Sequence, residues 1–89
     1  MTTGRLEKLI AHLSSFVKER CPEAIIQVSY SNYDGEDADM EIFVEPGMED
    51  DLHDTLSQKA ADIQIDEGYH IATLVYSLDD YKKRQLKTV

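Results

Sequence analysis

The chain has 89 residues, 42% hydrophobic and 30% charged, which is enough apolar material for one small core and too little chain for two. Eighteen acids against nine Lys and Arg give a formal net charge of −9, a surface that repels phosphate backbones and speaks against nucleic acid as a partner. Cys21 is the single cysteine, which excludes an internal disulfide. The N-terminus has no apolar signal region and no run of about 18 apolar residues occurs, so the expectation is a cytoplasmic protein with no membrane partner.

Leu6, Leu9, Ile10, Leu13, Phe16 and Val17 recur at helical spacing and predict a first helix from about Thr3 to Arg20, with Thr2 or Thr3 as its cap. Pro22 stops it. Ile25, Ile26, Val28 and Tyr30 then give residues 24–31 a β-rich composition. Tyr33-Asp34-Gly35 is a hairpin turn signal. The return strand, Ala38 to Glu45, alternates cleanly: Ala38, Met40, Ile42 and Val44 on one face, Asp39, Glu41, Phe43 and Glu45 on the other.

Pro46-Gly47 ends that strand, and Glu49, Asp50 and Asp51 follow where a helix N-terminus favours negative charge. Met48, Leu52, Leu56, Ala60 and Ile63 form the stripe of a second helix that closes near Glu67, with Gly68 as a left-handed cap. Residues 69–76 are apolar on both faces, as in a strand that is central or covered on both sides. Ser77-Leu78-Asp79-Asp80 resembles a capping box and predicts a short last helix to about Gln85.

These elements predict one α+β domain over residues 1–89. Its order is α-β-β-α-β-(α), a three-stranded mixed sheet with the two long helices packed on one face and a right-handed β-α-β crossover. The other sheet face, with Asp39 and Glu41, is expected to be open.

From Asp34 to Asp54 there are ten acids and no Lys or Arg, whereas four of the nine basic residues lie between Lys82 and Lys87. Asp39 and Glu41, two apart on a strand, point to the same side and form a candidate divalent-cation pair, or else a solvated polar strand face. The acids at 34–39 do not make a calcium loop, because Gly35 stands second rather than sixth. His12, His53 and His70 lack metal-ligand spacing, and His70 reads as a core or interface histidine. No Gly-x-Ser-x-Gly elbow or phosphate-cradling glycine loop is present, and Cys21 has no sequence-adjacent base, so no catalytic residues are assigned.

Five tyrosines cluster around the strands, as interface residues or as closures of a small core. The leading expectation is a non-catalytic module that needs no cofactor and binds a protein with a basic surface through Tyr33, Asp34, Glu36, Asp37 and Glu45. A homodimer through the open sheet face or edge is a second expected association.

Ala38-Asp39-Met40-Glu41-Ile42-Phe43-Val44-Glu45 resembles the acidic strand of the minimal nucleotidyltransferase family, in which Ser-Asp-Ile-Asp precedes an apolar run. The order of elements around it is similar, and residues 71–80 resemble the way many members finish. The family has a Gly-Ser pair ahead of the strand where this chain has Ser31-Asn32, an Asp where it has Glu41, and a third carboxylate where it has Thr73. The resemblance thus implies a shortened member without catalysis. Its alternative implication is an Mg-dependent nucleotide-binding or nucleotidyltransferase protein that uses Asp39 and Glu41.

Overall fold

A computed structural model describes residues 2–30 and 37–87. Six elements follow in order: α1 (Thr2–Arg20), β1 (Ile25–Ser29), β2 (Ala38–Val44), α2 (Glu49–Glu67), β3 (Ile71–Ser77) and α3 (Leu78–Lys87). The strands form one mixed sheet in the order β1-β2-β3, with β2 antiparallel to β1 and parallel to β3. The architecture is the α+β one that the periodicities predict. The expected turn at Tyr33-Asp34-Gly35 lies outside the described residues.

The alternation of β2 is what joins the layers. Ala38, Met40, Ile42 and Val44 are completely buried and meet the α1 stripe of Leu6, Ile10, Leu13 and Val17 together with Leu52 and Leu56 of α2. Side chains at these helical spacings share one face, so both long helices seal the same side of the sheet. Cys21 donates its N–H to the Val17 carbonyl at 2.8 Å, and Ala24 turns back onto the Cys21 carbonyl at 2.9 Å. Pro22, inside that turn, has no N–H with which to prolong the helix.

Gly47, at φ 99°, opens the turn into α2 and donates its N–H to Glu49 Oε1 at 2.6 Å. Gly68 closes α2 at φ 82°, a left-handed conformation that costs other residues about 1 kcal/mol or more. Its N–H bonds to the Gln64 carbonyl at 3.0 Å. Two contacts tie α2 to α1. Arg5 grips Glu67 with both arms, at 3.0 and 2.6 Å, and the half-buried Phe16 ring has the Arg20 guanidinium 4.7 Å and the Lys59 ammonium 4.5 Å from its centre.

Two expectations are corrected. β3 is an edge strand and not the central one. Its continuous apolar run arises because one face packs on α2 while Leu74, on the other, stays 43% exposed. The second sheet face is only partly open, because α3 folds back over it. Ser77 Oγ accepts the Asp80 N–H at 3.3 Å and starts that helix. Tyr81 then meets Phe43 edge-on at 5.1 Å, and Tyr76 stacks on Phe43 at 5.5 Å. Phe43, assigned by alternation to the polar face, is completely buried there.

Phe43→Ala should therefore destabilise the protein by about 3–5 kcal/mol in urea titration, the cost of an emptied aromatic site. A loss under 1 kcal/mol would mean that α3 does not hold this position. The Glu67 carboxylate is held below its ordinary range by the hydrogen bond and charge of Arg5. Its small stabilising contribution is present above the carboxylate range and fades as pH falls through the lowered value. Glu67→Gln should then melt below the parent at neutral pH, and the gap should close in acid.

Candidate functional site

The register of the three strands arranges the second face in rows. Ile25, Phe43 and Tyr76 form one row, Gln27, Glu41 and Leu74 the next, and Ser29, Asp39 and Ala72 the third. α3 covers the first row through Tyr81. The other two rows line an open recess of about 450 Å³. Asp39 and Glu41 stand half-buried in the middle of it, two residues apart on the central strand, and among the described residues no Lys or Arg lines it.

That geometry gives the two carboxylates a specific setting. On the β1 side each has a polar neighbour, Ser29 beside Asp39 and Gln27 beside Glu41. On the β3 side each has an apolar one, Ala72 and Leu74. A cation held here would have acidic oxygens at its charged end and an aliphatic wall at its flank, the environment that suits a Lys or Arg side chain with its long apolar stem.

Thr73 pairs with Met40 and so belongs to the helix-covered face. Asp39 and Glu41 consequently gain no acid from β3. Among the described residues no group of three or more His, Cys, Asp and Glu is placed to hold a metal ion.

Of the residues expected to bind a partner, Asp37 and Glu45 lie at opposite ends of β2. Tyr33, Asp34 and Glu36 lie outside the described residues. Asp37 clasps the start of β3: its Oδ2 accepts the His70 N–H at 2.7 Å, while the N–H groups of Asp37 and Ala38 reach the His70 carbonyl at 2.8 and 3.4 Å. Glu45 is exposed just past β2, at the rim of a separate cavity of about 130 Å³ beside Cys21 and Met48. His70 is exposed rather than buried in the core, and His12 and His53 are exposed as well.

Cys21 is 94% hidden from solvent, at 6% exposure, and its Sγ lies 3.6 Å from Met48 Sδ. Burial pushes its thiol pKa up, the Glu45 carboxylate adds to the rise, and Arg20 opposes it. Such a thiol is a poor nucleophile.

Sequence reading missed the contribution of α3 to the site. The local sign was Phe43 itself, an aromatic on a face otherwise made of acids. What covers it comes from a helix more than thirty residues on, which no strand pattern reveals. No protein-family model matches the chain, and no curated protein or solved structure matches it. Among the described residues no helix is long and apolar enough to cross a membrane.

Iodoacetamide should alkylate Cys21 at pH 8 at least about tenfold more slowly in the folded protein than in urea, as expected for a buried thiol with a raised pKa. Equal rates, followed by mass spectrometry, would place the thiol at the surface.

Proposed function

We propose that this chain is a cytoplasmic, non-catalytic binding module that docks a cationic segment of a partner protein on the open part of its second sheet face. The observation that carries this reading is the recess itself, with Asp39 and Glu41 side by side on its floor and Leu74 exposed beside them. A Lys or Arg of the partner sets its head group on the two carboxylates and lays its stem along Leu74 and Ala72, while Gln27 and Ser29 offer hydrogen bonds. The formal net charge of −9 steers such a partner toward the chain.

A second reading, Mg²⁺-dependent nucleotide binding, uses the same two acids. One observation favours it: Ser29 and Gln27 bring further side-chain oxygens next to Asp39 and Glu41, and Mg²⁺ prefers oxygen ligands. Amide shifts produced by a nucleoside triphosphate only when Mg²⁺ is present would select this reading over protein docking.

A fluorescent peptide rich in Lys and Arg, titrated against the chain, tests the docking. The Asp39→Asn, Glu41→Gln double variant should weaken binding by about tenfold or more, equivalent to roughly 1.4 kcal/mol. Raising NaCl from about 0.05 to 0.5 M should weaken it as well. An affinity indifferent to both changes would sink the proposal.

A further inference from the structure

β3 ends the sheet, and its backbone shows which of its groups remain for another strand. The N–H and C=O of His70 both turn toward β2, where they meet Asp37 and Ala38. Along an extended chain these groups alternate sides, so those of Ala72, Leu74 and Tyr76 also face β2. Those of Ile71, Thr73, Val75 and Ser77 face outward. Natural edge strands are usually shielded by charge, proline or a bulge. Ile71–Ser77, reading IATLVYS, has neither a charged residue nor a proline, and its register on β2 is unbroken.

Beside this edge α2 presents small side chains. Ser57, Ala60 and Ala61 leave an open groove of about 270 Å³ along Ile71 and Thr73. A side chain on the helix-facing side of an added strand would enter it.

We infer that the added strand is β3 of a second copy, paired antiparallel about a two-fold axis through Leu74, so that the two three-stranded sheets become one continuous sheet. In this register Thr73 pairs with Val75 of the second copy and Ile71 with its Ser77, through the outward backbone groups. Val75 of the second copy then lies over the groove. On the other face Ala72 meets Tyr76 of the second copy, small against large. Leu74 meets its own counterpart in a non-hydrogen-bonded pair, about 4.5 Å between Cα atoms, where side chains approach most closely. At the ends the exposed His70 of each copy lies opposite the first turn of α3 in the other, where Asp79 and Asp80 offer acceptors to its ring N–H.

The association shares Leu74 and Ala72 with the docking recess, and salt separates the two. Two acidic chains repel, so added salt strengthens the dimer, whereas it weakens the grip on a cationic peptide. Sedimentation from about 10 µM to 1 mM protein, in about 0.05 and 0.5 M NaCl, should show the 10.2 kDa chain giving way to a species of twice that mass, and sooner at high salt. Over the same range the amides of Thr73 and Val75 should become at least tenfold slower to exchange with deuterium. Thr73→Pro deletes an outward donor while leaving the β2 ladder intact, and Leu74→Glu sets two carboxylates across the axis, each beside a Glu41 of the same charge. Each should weaken dimerisation tenfold or more, with circular dichroism as the check on folding. If Thr73→Pro fails to fold, Leu74→Glu decides, because its site is already solvent-exposed. A monomer at 1 mM with concentration-independent exchange would overturn the inference, as would a dimer indifferent to Leu74→Glu.

Discussion

Everything in this fold depends on β2 being buried from both sides. It is hydrogen-bonded to a strand at each edge, and five of its seven residues are completely inaccessible to solvent. A strand in that position has little room for a charge under cover. Its two acids therefore have one permissible location, the part of the second face that α3 does not reach. The recess and its carboxylates are thus the remainder left when α3 stops at the Phe43 row.

Lys18 donates to the Ala24 carbonyl, Arg5 is committed to Glu67, and Arg20 and Lys59 lie against Phe16. Those four cations all serve the helical layer, where they hold α1, α2 and the turn after α1 together. Four more basic residues follow on α3, which covers part of the other face, while among the described residues none lines the recess.

Much of this was legible in the residues because it is local. The stripe from Leu6 to Val17, the glycine at position 68 and the serine at position 77 each act within one helical turn, and each behaves as its local chemistry dictates. The alternation of residues 38–44 was equally legible, with Phe43 as the exception, since its burial is decided by Tyr76 and Tyr81 far along the chain. The place of β3 could not be read either. An apolar run looks the same whether a strand is central or lies at an edge with one face under a helix, and only pairing partners distinguish the two. Asp37 seemed a surface charge because its hydrogen bond to His70 joins positions 33 residues apart.

That separation bears on the order in which the molecule assembles. β1 and β2 lie close together along the chain, so their pairing closes a short loop. Every bond between β2 and β3 must instead close a loop that contains the whole of α2, and the entropy lost in closing a loop grows with its length. Non-local parallel pairing is the slow part of folding for small domains. Joining β3 and α3 therefore carries a larger closure cost than the β1–β2 pairing, and wherever they are out of place one side of β2 and the face of Phe43 stand open to water and to other chains.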